Sequence, residues 1–246
     1  MPERGLHLSE RDAPADFKVG VDNAIFSVDT RHNRLLALLV QRSSAPFRHY
    51  WRLPGTLVRP SESLEEAAHR ILAETIAVEN LYLEQLYTFG QPGRDPRDPE
   101  AHPGVRHLSV SYFALVRYED TRLLGDRPEP VAWYPTDAVP QLAFDHNQIL
   151  NYGRQRLRNK LEYSPVAFRV LPEAFTLNEL YQFYAAVLGD NFADYSNFRA
   201  RVLKLGFLTD TGLKVSRGAG RPASLYRFDE EAFELIKDKS MVFASA

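Results

Sequence analysis

Apolar residues early in the chain fall in two short runs, VGVDNAIFSVDT (Val19–Thr30) and RLLALLVQRS (Arg34–Ser43), divided by turn-forming residues between Asp29 and Asn33. Such runs predict a strand pair. At Ser63 the spacing changes: Leu64, Ala67, Ala68, Ile71, Leu72 and Ile76 recur at steps of three and four, the period of an amphipathic helix. Ser61 or Ser63 supplies its N-cap, and Glu65 and Glu66 lie in the first turn, where the helix dipole favours acid. NLYLEQLYTF (Asn80–Phe89) and LSVSYFALVRY (Leu108–Tyr118), rich in aromatic and β-branched residues, predict two more strands. The Pro/Gly-rich segment between them reads as a long loop, and loops of that length in a compact domain are usually functional.

The pattern is helical again from Asp145 to about Leu161, with Arg154, Arg156, Arg158 and Lys160 along it. FTLNELYQFYAAVLG (Phe175–Gly189) predicts a helix with a Thr176/Glu179 capping box. DYSNFRARVLKLGFL (Asp194–Leu208) predicts another, ending at Gly206. Strand, Gly-rich basic turn and strand follow in LKVSRGAGRPASLYRFD (Leu213–Asp229).

A chain of 246 residues accommodates one large domain or two ordinary ones. Charge divides along it: residues 1–150 carry 16 basic against 21 acidic residues, and residues 151–246 carry 14 against 11. The overall net charge of −2 excludes a uniformly basic nucleic-acid coat but leaves room for a basic face on the second half. The absence of cysteine excludes disulfides, zinc–thiolate sites and thiol catalysis. The charged N-terminal stretch has no apolar core of a signal peptide, and no apolar run approaches the roughly 20 residues of a membrane span. A cytoplasmic protein without membrane partners is expected.

Leu53–Val78, LPGTLVRPSESLEEAAHRILAETIAV, resembles the signature of the Nudix family, G-x5-E-x7-R-E-U-x-E-E-x-G-U, where U is a bulky aliphatic residue. Aligned on Glu62 and Arg70, the motif places Thr56 at the first Gly, Ile71 at the Glu after Arg, and Glu74 and Thr75 at the paired Glu. Ala77 takes the second Gly and Val78 the last U. Positions 71, 74 and 75 are i, i+3 and i+4 and share a helix face. In Nudix hydrolases, glutamates of this face hold divalent metals that bridge a diphosphate and activate water. Hard cations need oxygen ligands; Ile71 has none and Thr75 a neutral hydroxyl, which leaves Glu74, with Glu62 able to assist. The pattern implies descent from a Nudix domain without catalytic residues, metal or cofactor.

In the second half, Phe198, Val202 and Leu205 share a helix face and are expected in a core. Asn197, Arg201 and Lys204 then line the opposite face, with Arg199 beside them, as a DNA recognition helix requires. Lys214, Arg217 and Arg221 surround a turn that Gly218 and Gly220 permit, the composition of a basic wing. Capped helix, basic-faced helix and basic hairpin in that order predict a winged helix.

A degenerate Nudix box followed by this module resembles the Nudix-related transcriptional regulators of bacteria, the NrtR-like family. LEQLYTFGQPGRDPR, LAFDHNQIL, RLRNKLEYSPVAF, FTLNELYQFY and GRPASLYRF contribute to the resemblance. It implies an α/β Nudix sandwich with a mixed sheet, residues 17–144, after an arm of residues 1–16. A linker helix (145–163) and a winged helix-turn-helix domain (164–246) follow. The family implies a homodimeric repressor that binds a palindromic operator and senses a small metabolite; many members sense ADP-ribose, others pentose sugars. Trp51, Arg52, Glu74, Arg94, Asp95 and Arg97 are the expected ligand-binding residues, since arginine forks match phosphate oxygens. Trp51 is equally suited to a core, and the loop arginines to solvent. The cations of the linker helix suit either DNA phosphates or acidic neighbours. The alternative function is hydrolysis of a nucleoside diphosphate sugar such as ADP-ribose.

Overall fold

β1 (Asp16–Asp29) and β7 (Val105–Val116) run parallel through the middle of a seven-stranded sheet, in register from Asp16 opposite Val105 to Phe26 opposite Leu115. The computed structural model describes residues 16–30, 32–78, 81–96, 105–124, 128–189, 192–216 and 222–236. Nearly all of the expected arm, together with Arg97, Arg217 and Arg221, lies outside them.

The expected strand pair is β1 with β2 (Arg34–Gln41), antiparallel. β3 (Trp51–Arg52) extends β2, β4 (Gly55–Leu57) pairs with β1, and β6 (Leu81–Phe89) forms an antiparallel edge on β7. β9 (Val131–Pro135), which the hydropathy pattern did not single out, pairs with β2. β7 starts three residues earlier than its apolar run, at Val105, because its backbone continues the ladder with the start of β1.

Alternation along β1 assigns the two faces of the sheet. Val21 and Ile25 face α1 (Leu64–Thr75), whose Ala67, Ala68 and Ile71 pack with Val21, Val110 and Tyr112. Ser63, not Ser61, caps α1, in a reciprocal box with Glu66. The helix stops at Thr75, since Ile76 is extended and begins β5 (Ile76–Ala77), paired with β8 (Arg122–Leu123).

Ala24, Phe26 and Val28 face the other way, toward α2 (His146–Tyr163). Gly153 lets α2 approach: a Cβ there would lie 3.1 Å from the Phe26 ring and 3.2 Å from Ala24. The same apolar cluster continues without a break into the second module. That module runs from β10 (Phe175–Thr176) through α3 (Leu177–Leu188), α4 (Tyr195–Leu205), β11 (Leu208–Val215) and β12 (Ala223–Phe228) to α5 (Glu230–Glu234). Its three strands form a sheet in the order β10, β12, β11, and α3 also packs on β1 and β2. The Thr176/Glu179 capping box is present, and α4 ends at Gly206 in the left-handed conformation, φ 78°. Phe198 and Val202, both 1% exposed, anchor α4, with Leu205 partly buried behind them. Burying a side chain of that size contributes about 1.5–3 kcal/mol, so α4 is held by one face and presents the other.

Candidate functional site

The Nudix helix divides where a shared ligand face was expected. Ile71 is 4% and Thr75 1% exposed, both inward, and the Thr75 hydroxyl donates to the Ile71 carbonyl at 2.6 Å. Glu74 points outward with its side chain 47% exposed, 3.5 Å from Arg70 and 3.6 Å from Arg59. Glu62 accepts two bonds from Arg70, at 2.5 and 2.8 Å, and one from the Arg59 N–H. Chiefly through Arg70, its carboxyl is drawn down to about 2. What the motif retains here is a clasp between the start of the loop and the helix.

The cavity lies at the open end of the sheet, where β1, β4 and β7 meet the loop after β6 and the approach to α2. It measures about 320 Å³, within the range of small-molecule sites. Arg52, Arg94 and Asp95 of the expected ligand set line it. Trp51 and Glu74 do not: the Trp51 ring packs edge-on against Tyr134, centroids 5.0 Å apart, beside the core. Asp22, Glu129, His146, Arg42 and Phe144 also line the cavity, and the motif reading had not named them.

Each charge is held by local structure. Gly55 lets the Asp22 carboxylate in, since a Cβ there would sit 1.9 Å from Asp22 Oδ1. Ser109 donates to Asp22 Oδ2 at 2.7 Å. His146, 3% exposed, accepts the Leu53 N–H on Nδ1 at 2.9 Å, so its proton sits on Nε2, 3.6 Å from Asp22 Oδ1. Burial pushes the His146 pKa down, only partly opposed by Asp22 and Asp145, so the ring is neutral at physiological pH.

Arg52 donates to the carbonyls of Leu53 and Gly55 and to Glu129, the last at 2.8 Å, while its buried Nε has no hydrogen-bond partner among the described residues. Burial raises the Glu129 carboxyl, but bonds from Ser43 and the charge of Arg52 outweigh it, and the net shift is downward. Arg94 donates through Nε and Nη2 to the two oxygens of Asp145, at 2.9 and 2.6 Å. The Arg42 guanidinium stands 4.9 Å from the centre of the Phe144 ring, making an aromatic and cationic wall. The combination suits a ligand with an anionic centre, hydroxyls to donate to carboxylates, and a flat ring.

On the second module Asn197, Arg199, Arg201 and Lys204 are exposed on α4, and Lys214 is exposed on β11. The Asn197 amide also braces the Asp194 cap at 2.5 Å. For the cations of α2, the acidic-neighbour alternative describes Arg156 and Lys160, which both bind Glu84 of β6, at 3.1 and 2.5 Å. Arg158 donates to the Leu188 carbonyl of α3 at 2.9 Å.

A Nudix domain built around a charged cavity and fused to a winged helix defines a class of protein, the Nudix-linked transcriptional regulators. Comparison with known families agrees: residues 17–152 match the NUDIX domain model, and residues 163–244 match the AraR C-terminal winged HTH domain. The chain is 36% identical over 212 residues to the ADPR responsive transcriptional repressor NtrR of Acinetobacter baylyi, covering 85% of this chain and 80% of that one. It is similar in fold, at 37% identity and a TM-score of 0.70, to Shewanella oneidensis NrtR crystallised with a 27mer DNA, covering 88% of this chain and 95% of that chain. A more distant likeness, 28% over 127 residues, joins 52% of this chain to 69% of an ADP-ribose pyrophosphatase of Methanocaldococcus jannaschii. The chain belongs to the NrtR family of Nudix-related transcriptional repressors.

Proposed function

We propose that this chain is a homodimeric repressor that binds ADP-ribose in the charged cavity, without cleaving it, and binds a palindromic operator through α4 and the wing. The observation that carries the reading is the separation of the two halves of the Nudix machinery. The cavity keeps Arg52 and Arg94 at its wall, whereas Ile71 and Thr75 are sealed in the core. A divalent metal does not fit the remaining residues: Glu62 is engaged by Arg70 and Arg59, and Glu74 stands outside beside the same two arginines. Hard cations need several converging oxygens, and these residues do not supply them for metal-assisted hydrolysis.

ADP-ribose is favoured over a free pentose because arginine forks match the anionic oxygens of a diphosphate, which a neutral sugar lacks. The name of the Acinetobacter relative, an ADPR responsive repressor, supports the same choice. Arg199, Arg201, Lys204 and Lys214 stand exposed for DNA, Asn197 at the start of α4 for a base edge, and Arg217 and Arg221 belong to the same proposed surface. Two copies would place their recognition helices about 34 Å apart, one turn of DNA.

The test is a mobility shift with the promoter of its own gene at low salt, repeated with ADP-ribose, NAD and D-pentoses. Retardation altered by ADP-ribose alone is expected. A response to pentoses alone would replace the effector, and steady conversion of ADP-ribose at about 1 s⁻¹, an ordinary enzyme rate, would replace the function.

A further inference from the structure

Asp145 occupies the N-cap of α2, where an aspartate ordinarily accepts a backbone N–H of the first turn. Its side chain makes no capping bond, and its backbone sits at φ −92°, ψ 18°. The caps Ser63, Thr176 and Asp194 are all extended and all accept such bonds. Both Asp145 oxygens are instead taken by Arg94. The residue before it, Phe144, has a φ of 56°, a conformation uncommon for a bulky side chain. The entry to α2 thus departs from the geometry of the other caps, and the guanidinium that holds its carboxylate also lines the cavity.

The far end of the helix is tied just as firmly. Leu157 and Leu161, both 0% exposed, lie in the core that α2 shares with the second module. Arg158 bonds to the end of α3, and Glu84 holds Arg156 and Lys160. A change in the first turn of α2 thus meets a helix that is bonded to the DNA-binding module.

We infer that the Arg94–Asp145 pair is an effector-sensitive latch, in which the diphosphate of the effector takes the Arg94 fork and the released Asp145 caps α2. The inference rests on the reading of the cavity as an ADP-ribose site. Phosphate competes well for this fork, because guanidinium binds its oxygens in the same paired geometry as a carboxylate. Once free, the Asp145 carboxylate is within its own local reach of the Asn147 N–H, at the second helical position; the Gln148 N–H already donates to the Asp145 carbonyl at 2.8 Å. Exchange of partners at Arg94 converts ligand binding into a change at the start of α2, which supplies the two discrete arrangements that coupling between sites requires.

The test uses the full-length protein with ADP-ribose, read by calorimetry and by hydrogen exchange at Asn147. In the wild type, saturating ADP-ribose should raise protection at the Asn147 amide about fivefold or more, the lower range of allosteric coupling. Asp145→Asn keeps a good cap but loses the ion pair. It should show the protected pattern without ligand and bind ADP-ribose about tenfold tighter, the equivalent of one competing charged bond. Asp145→Ala should bind ADP-ribose more tightly as well, yet show no gain in protection. A gain retained by Asp145→Ala, or no gain in a wild type that binds ADP-ribose, would overturn the latch and leave the effector reading standing. Absence of ADP-ribose binding to the wild type would overturn both, and calorimetry on the unmodified protein shows that first.

Discussion

Ile71→Glu with Thr75→Glu returns carboxylates to two positions where the Nudix signature has them, and the structure determines what should follow. Ile71 is 4% exposed against Val21, Ala67, Ala68, Val110 and Tyr112, and Thr75 is 1% exposed with its hydroxyl satisfied by the helix. Ile71→Ala alone should cost about 3 kcal/mol, the middle of the range for truncating a buried aliphatic side chain. For a chain of this size that lowers the melting temperature by roughly 6–12 °C. Ile71→Glu removes the same contacts and adds a carboxyl to an apolar site, so about 4–5 kcal/mol is expected.

Burial would raise the pKa of the introduced carboxyl above its unfolded value of about 4.3. The folded state then holds a proton that the unfolded state has released. Stability is greatest below about pH 4.3 and falls as pH rises through the folded pKa. Urea unfolding should therefore show a larger deficit for Ile71→Glu at about pH 8 than at about pH 5. Adding Mg²⁺ should leave the double variant no more stable. If millimolar Mg²⁺ stabilised it by more than about 1 kcal/mol, a ligand linked to the folded state, positions 71 and 75 would face a metal site and the core assignment would be wrong.

Gly55→Ala should abolish ADP-ribose binding measured by calorimetry, because the new Cβ would fall 1.9 Å from the Asp22 carboxylate; unchanged affinity would show that Asp22 moves without consequence. Arg201→Ala should weaken operator binding by about 1–3 kcal/mol while ADP-ribose affinity stays the same; equal loss of both would mark Arg201 as a folding residue. At Glu84, burial raises the carboxyl but bonds from Lys160 and Tyr82 prevail, so its pKa is lowered on folding. Its contribution is present above the unfolded value of about 4.3 and is lost as pH falls through the folded one. Glu84→Gln should then cost about 1–2 kcal/mol at neutral pH and flatten the acid limb of the stability curve; an unchanged acid limb would rule this out.

Elements whose cause is local were legible in the chain. The Thr176 cap, a serine cap for α1 at position 61 or 63, the Phe198/Val202 anchor of α4 and the β1–β2 pair follow from spacing and side-chain type. The cavity was legible only in part. Arg52, Arg94 and Asp95 could be chosen for their chemistry, but the groups that complete the site come from distant segments. Asp22 and Glu129 converge through the parallel pairing of β1 with β7 and the return of β9 onto β2, and His146 joins them through its bond from Leu53, which no local period reports. Asp22 did leave a signal, as an acid inside the apolar run VGVDNAIF. The expected shared face of Ile71, Glu74 and Thr75 failed for a related reason. Residues three and four apart span a wide arc, and Ile71 and Thr75 are buried while Glu74 is exposed beside Arg70. Arg94 was recognisable as an anion-binding side chain, but its partner Asp145, 51 residues away, was not.

The division between binding and cleavage is tested most directly by one titration of the protein–operator complex with ADP-ribose and Mg²⁺. Fluorescence anisotropy follows the DNA while chromatography follows the nucleotide. A change of about fivefold or more in operator affinity, with ADP-ribose recovered intact, is the outcome the proposed function predicts. Operator affinity that ignores ADP-ribose, or ADP-ribose consumed at about 1 s⁻¹, would contradict it.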